Sequence, residues 1–124
     1  MIIGIGTDIV QIDRIRQALD RQGERFAARI LCADELDRFN EKNQSAHYLA
    51  KRFAAKEAAS KALGTGIGSV SWQDMMVLND VHGAPVITLQ GKAKERMETL
   101  GASQISVSLS DEVNYAVAFV VLSR

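Results

Sequence analysis

Apolar and polar positions alternate with a period of two at the start of the chain. Over residues 2–10, Ile3, Ile5 and Ile9 share one face with Thr7, and Gly4, Gly6 and Asp8 fall on the other. That alternation predicts a strand. Two glycines beside an aspartate leave the second face open to close approach by another backbone or by a ligand. The period then lengthens. Asp13 to Arg21 reads as a helix with Ile12, Ile15 and Leu19 on one stripe and Arg14, Arg16 and Arg21 elsewhere, stopped by Gly23. Glu24 to Ile30 makes a short helix with Phe26 and Ile30 as its apolar pair. Asp34 to Lys42 makes a third, with Leu36 and Phe39 inward. Ser45 is placed to cap a long helix from Ala46 to Leu63. That segment is rich in good helix formers, carries Leu49, Phe53 and Ala54 as an apolar stripe, and ends at Gly64.

The second half returns to short periods. Asp74 to Leu78 and Val86 to Leu89 read as strands joined by the turn Asn79 to Ala84, with Pro85 opening the second. Gly91 to Leu100 is helical through Ala93 and Met97. Ile105 to Leu109 alternates with Ser106, Ser108 and Ser110. Tyr115 to Leu122 is apolar on both faces, as expected of a central strand. The turn Asp111-Glu112-Val113-Asn114 makes these last two an antiparallel hairpin. The expected fold is α+β, one small domain over 1–124, with an antiparallel sheet and one long helix packed against it.

Bulk properties narrow the function without naming it. The chain has 124 residues, enough to bury a core without metals or disulfides. Its formal net charge is zero, which gives no support to general nucleic-acid or membrane-surface binding. Cys32 is the one cysteine, so no internal disulfide forms, as suits a reducing compartment. The apolar start lacks a basic leader and is interrupted by Asp8, unlike a signal peptide. No stretch approaches the ~20 apolar residues of a membrane span. The expected location is the cytoplasm.

Four features carry candidate chemistry. Glu57 sits about 40° from both Phe53 and Lys61 at about 100° per helical residue. It reads either as half of a solvent-facing Glu57–Lys61 pair, with Arg52 and Lys56 as solvated charges, or as a site residue. Asp8 inside an apolar strand is either a turn former at the strand end or a paired or metal-bound carboxylate. Together, Asp8 and Glu57 have the oxygen chemistry that magnesium takes beside substrate phosphates. Gly64 to Gly68 is either a helix stop or a loop whose backbone N–H groups meet phosphate, with Lys61 one turn earlier as a cation. Arg14, Arg16, Arg21, Arg25 and Arg29 outnumber Asp13, Asp20 and Glu24 over 11–30. That excess is a solvated face or a dock for an acidic partner. The residues alone leave a magnesium-dependent phosphohydrolase and a nucleotide or carrier binding module open.

The run Arg52-Phe53-Ala54-Ala55-Lys56-Glu57-Ala58-Ala59-Ser60-Lys61-Ala62-Leu63-Gly64-Thr65-Gly66 resembles the central motif of the holo-acyl-carrier-protein synthases. Gly4-Ile5-Gly6-Thr7-Asp8-Ile9 resembles their first motif. The similarity continues through Arg29-Ile30-Leu31, Trp72 to Met76, Gly83-Ala84-Pro85 and Val107-Ser108-Leu109-Ser110, so it spans essentially the whole chain. The resemblance implies transfer of 4′-phosphopantetheine from coenzyme A to a serine of an acyl carrier protein, in fatty acid biosynthesis. It implies that Asp8 and Glu57 bind Mg2+, and that Lys61 lies at the diphosphate. Arg52, Gly64, Thr65, Gly66 and Ser108 would contact coenzyme A, and Arg14, Arg21 and Arg25 would face the acidic carrier. Glu57 and Lys61 would be the catalytic pair, and the serine proton would go to Glu57 directly or through a metal-bound water. It also implies a homotrimer with active sites between subunits. The chain departs from many members at Asp111, where they have histidine, so that histidine's role does not transfer.

Overall fold

The computed structural model describes residues 1–124. Strand β1 (Ile2–Gln11) leads directly into helices α1 (Ile12–Gln22), α2 (Glu24–Ile30), α3 (Ala33–Glu41) and α4 (Ala46–Ala62). A 3-10 turn (Trp72–Asp74) then opens β2 (Met75–Asn79), followed by β3 (Pro85–Leu89), α5 (Gly91–Thr99), β4 (Gln104–Asp111) and β5 (Tyr115–Ser123). The architecture is α+β. The strands form two antiparallel sheets rather than the single one expected: β1-β5-β4, with β5 central, and the hairpin β2-β3. The hairpin turn is built as its residues suggest. The Asp80 carboxylate accepts the N–H groups of His82 and Ala84, and Gly83 takes a positive φ of 86°.

Helix α4 lies across the inner face of the three-stranded sheet. That face is made by Ala116, Ala118, Val120 and Leu122 of β5, all fully buried. The helix answers with Ala54, Ala55, Ala58, Ala59 and Ala62, whose short side chains let the two layers meet closely. β1 comes closer still. A Cβ on Gly4 would fall on the carbonyl oxygen of Ala62, and one on Gly6 on that of Ala58. The glycine face of β1 is therefore the packed face. The other face holds Ile5 and Ile9, and they stay 59% and 64% exposed. Across the register, Ile9 lies opposite Val117, and Thr7 opposite Phe119. Val117 and Phe119 are exposed as well.

A second apolar cluster forms where α1, α2 and α3 wrap the first half of α4, around Ile12, Ile30, Phe39 and Leu49. On α1 the buried stripe is Ile12, Ile15 and Ala18, with Leu19 only half-buried. Ser45 caps α4 by accepting the Tyr48 N–H. α4 has polar residues on its buried sides too, which the reading of Arg52 and Lys56 as solvated charges did not foresee. Arg52 is 4% exposed and Lys56 is fully buried. Lys56 Nζ donates to Glu35 Oε1 and to the Ile30 carbonyl, each at 2.6 Å. Glu35, also fully buried, accepts the N–H groups of Cys32 and Val77, each at 2.8 Å. One ion pair thus ties α2, α3, α4 and β2 together, with its lone pairs and protons used on backbone.

Loss of one partner would strand the other charge in the core. Lys56→Met is expected to cost about 3–5 kcal/mol of stability by urea unfolding. Lys56→Met with Glu35→Gln is expected to recover part of that loss, because the charge is gone while an acceptor for the backbone remains. A single variant as stable as the parent would show that the pair does not hold these elements.

Candidate active site

Alternation along β1 puts Asp8 on the same face as Gly4 and Gly6, so the close approach to α4 carries the aspartate to the helix surface. There it meets Lys61. Lys61 Nζ donates to Asp8 Oδ1 at 3.1 Å and to the Thr7 carbonyl at 2.9 Å. Glu57, one helical turn before Lys61, accepts the indole N–H of Trp72 at 3.3 Å. The solvent-facing Glu57–Lys61 pair therefore does not form, because each side chain is engaged by a different element. Burial pushes the Glu57 carboxyl above the ordinary carboxylate range. The Trp72 N–H draws it back, the Asp8 charge raises it again, and Lys61 lowers it. Two carboxylates and one lysine converge at the crossing of β1 and α4.

The loop after α4 uses its backbone differently from the phosphate cradle considered above. The N–H of Gly64 donates to the Lys61 carbonyl, and those of Thr65 and Gly66 both donate to the Ser60 carbonyl. These three amides close the C-terminal end of the helix. Arg96 of α5 adds to this by donating from Nε to the Leu63 carbonyl at 2.9 Å. Gly64 and Gly66 hold positive φ of 76° and 65°, and the space where a Gly66 side chain would stand is open. The loop thus offers a bare surface one turn beyond Lys61.

Arg52 and Ser108 stand apart from this centre. Arg52 is about 140° around α4 from Glu57, at about 100° per residue. Its Nη2 donates to Asn79 Oδ1 at 2.6 Å, and its guanidinium lies 4.5 Å from the centre of the Tyr48 ring. It borders a cavity of about 770 Å³ whose wall includes Arg38, Lys42, His47, Tyr48 and Lys51. That cluster of cations was not foreseen from the sequence. The i, i+4 spacings of Arg38 with Lys42 and of His47 with Lys51 were the available signal. Asp111, at the end of β4, reaches across to His47 Nδ1 at 3.2 Å and Lys51 Nζ at 3.7 Å. Ser108 lies opposite Phe119 on the outer face of the sheet, whereas Asp8 lies opposite Ala118 on the inner one. Within one chain these residues do not reach the carboxylates. Arg14 and Arg21 of α1 and Arg25 of α2 are exposed, and none forms an ion pair.

Comparison with known proteins gives the family. The sequence matches the 4′-phosphopantetheinyl transferase superfamily over residues 4–120. The chain belongs to this superfamily. It is 54% identical to the holo-[acyl-carrier-protein] synthase of Vibrio parahaemolyticus, over 98% of this chain and 97% of that one. Its fold is similar to the crystal structure of the synthase from Neisseria meningitidis, with a TM-score of 0.91 and 45% identity over all of both chains. It is also similar to the Helicobacter pylori synthase in complex with coenzyme A. There the TM-score is 0.84 and the identity 38%, covering 96% of this chain and 99% of that one. The transferase resemblance read from Gly4 to Asp8 and from Arg52 to Gly66 is thereby established for the family.

A carboxylate whose proton affinity is raised by folding favours the folded state only while protonated. That contribution is present below the unfolded pKa and is lost as pH rises through the folded one. Glu57→Gln is therefore expected to raise the melting temperature of the protein in chelator at neutral pH. The gain should vanish at pH values where Glu57 of the parent is itself protonated. A Gln variant no more stable at neutral pH would show that Glu57 carries no burial penalty.

Proposed function

We propose that the chain is a holo-[acyl-carrier-protein] synthase, a single transferase domain over 1–124. It moves 4′-phosphopantetheine from coenzyme A to a serine of an acyl carrier protein, in fatty acid biosynthesis. The observation that carries the reading is the convergence of Asp8, Glu57 and Lys61 in a chain of this superfamily. The serine oxygen forms a bond to the phosphorus that bears pantetheine. The diphosphate P–O bond breaks, and adenosine 3′,5′-bisphosphate leaves. The donor set fits Mg2+, because the Asp8 charge adds to the cost of ionising Glu57 and two converging carboxylates suit a hard cation. Asp8 and Glu57 would hold it. When bound, it neutralises the diphosphate oxygens and stabilises the charge that develops on them. Lys61, fixed between Thr7 and Asp8, supplies positive charge at the same place. Glu57 would take the serine proton, directly or through a water.

Coenzyme A needs more than this centre. Its nucleotide phosphate matches the cation-lined cavity at Arg52, and its diphosphate matches the Asp8, Glu57 and Lys61 centre, beside the open surface of Gly64, Thr65 and Gly66. Both cannot be reached from one chain when Arg52 and Glu57 face away from each other. Pairing of chains through the exposed Ile5, Ile9, Val117 and Phe119 face would bring the cavity of one copy to the carboxylates of the next. This supports association of copies with shared sites, taken here as the homotrimer that the resemblance implies, with Ser108 at the boundary. Unpaired Arg14, Arg21 and Arg25 form a basic face suited to an acidic carrier. No helix is long and apolar enough to cross a membrane, and the single free thiol suits the cytoplasm.

Intact mass of an apo acyl carrier protein, incubated with the protein, coenzyme A and Mg2+, should rise by one phosphopantetheine, and chelation should abolish the gain. No gain with any of several carriers would overturn the transferase reading. Asp8→Ala and Glu57→Ala are each expected to lower kcat/KM by about 100-fold or more. Near-normal turnover of either variant at saturating Mg2+ would remove it from the metal site. Arg14→Glu should raise the KM for the carrier severalfold at low salt, and progressively less as added salt screens the contact. An effect equal at all ionic strengths would argue against docking at Arg14.

A further inference from the structure

Trp72 has one polar atom, and that atom is spent on Glu57. The indole Nε1–H donates to Glu57 Oε1 at 3.3 Å. The ring packs beside Phe53, one turn earlier on α4, at 6.0 Å between ring centres and a tilt of 40°. The 3-10 turn that presents the ring is fixed from several sides. Ser71 Oγ accepts the Gln73 N–H, and the Ser71 N–H donates to Asp74 Oδ2. Gln73 Nε2 donates to the carbonyls of Ala28 and Leu31 at the end of α2. The Gln73 carbonyl in turn accepts from Gln90 Nε2. So heavily tethered a turn leaves the indole little freedom to leave the carboxylate.

We infer that Trp72 is a positioning residue, which holds Glu57 Oε1 so that the other carboxylate oxygen is presented to a divalent cation. The inference rests on the reading of Asp8 and Glu57 as metal ligands. Its physical basis is the kind of donor. A lysine or arginine at this place would compete with the cation for the carboxylate charge. A neutral indole N–H fixes orientation and leaves that charge in place. It also takes one oxygen, which biases Glu57 towards binding through the other. Hydrogen bonds of this kind to a ligating carboxylate typically change metal affinity or activity by about 10–100-fold. A packing role alone would need the ring and not its nitrogen.

Trp72 is the only tryptophan of the chain, so its emission reports directly on this carboxylate. Titration of the parent protein with Mn2+ in the presence of coenzyme A should quench that emission saturably, and Glu57→Gln should abolish the saturable part. Free Mn2+, followed by electron paramagnetic resonance, measures affinity in variants without an indole. Trp72→Phe keeps a ring beside Phe53 and removes only the donor. It is expected to weaken Mn2+ binding about tenfold and to raise the Mg2+ concentration for half-maximal rate more than it lowers kcat. Phe53→Leu loosens the packing but keeps the N–H, and should lower stability while leaving Mn2+ affinity near that of the parent. Unchanged Mn2+ affinity in Trp72→Phe, with binding lost in Glu57→Gln, would overturn the positioning role while sparing the metal site. Unchanged binding in Glu57→Gln would overturn the metal reading and the inference with it. Saturable quenching that survives in Glu57→Gln would do the same. Should Trp72→Phe fold poorly, an absence of quenching in the parent would still overturn the inference.

Discussion

The closeness of β1 to α4 is the constraint on which the rest depends. Two backbones meet with no side chain between them, at Gly4 against Ala62 and Gly6 against Ala58. The steps match, since two residues of strand advance about 6.6 Å and four of helix about 6 Å. Successive inward positions of the strand therefore fall on successive turns of the helix. The third inward position is Asp8, held on the helix surface where Lys61 Nζ reaches it. A larger residue at Gly4 or Gly6 would lift β1 from α4 and withdraw Asp8 from Lys61 and Glu57. The glycines thus set the geometry of the candidate site, although neither has an atom with catalytic chemistry.

The far side of the same helix is fixed by different physics. Glu35 and Lys56 bury opposite charges in a wall where alanine and leucine would pack more cheaply, and a buried pair of this kind is seldom a net source of stability. Its effect is directional. The carboxylate has to meet two backbone N–H groups as well as the ammonium, and the ammonium a carbonyl. Few arrangements of α2, α3, α4 and β2 satisfy all of these at once. α3, the Lys42 that follows it and the first half of α4 carry Arg38, Lys42, His47, Lys51 and Arg52, the cations along the large cavity. Glycine contact on one side and ion pair on the other leave α4 little freedom to slide or turn.

Much of the fold was legible because local signals agreed with tertiary demands. Ser45 and Gly64 bracket α4, Asn79 to Ala84 contains its own turn chemistry, and β1 alternates from Gly4 to Ile9. Asp8, Glu57 and Lys61 were legible as candidates from an aspartate in an apolar strand and a charge at the end of an apolar stripe. What the sequence hid was partner choice. Periodicity makes Lys56 and Arg52 look like solvent-facing charges, and nothing local says that Glu35 waits across the core. Trp72 belongs to a turn too short to have a period, and its bond to Glu57 spans 15 residues. The face of β1 that packs inward was legible only as one of two outcomes, since its glycines left it open to a backbone or to a ligand. Hydrophobicity points to the isoleucines, but backbone proximity selected the glycines. Amide use in the Gly64 loop was ambiguous for a related reason, since helix ends and phosphates compete for the same donors.

Exposed isoleucines on β1 and the separation of Arg52 from Glu57 then become one problem with one solution. A chain that buries its glycine face must leave Ile5 and Ile9 outside, next to Val117 and Phe119, where water contact is unfavourable. The same chain sets the carboxylates and the cavity cations on opposite sides of α4, because the carboxylates need β1 and the cations need α3 and β2. In the proposed assembly, association through the outer sheet face would remove the apolar surface from water and carry one chain's cavity towards another's carboxylates. A homotrimer is the assembly proposed here. On this view the energy of assembly comes from the outer face of the same strand whose inner face positions Asp8. A polar substitution at Ile9 would then weaken assembly and catalysis together, without touching any residue that meets substrate.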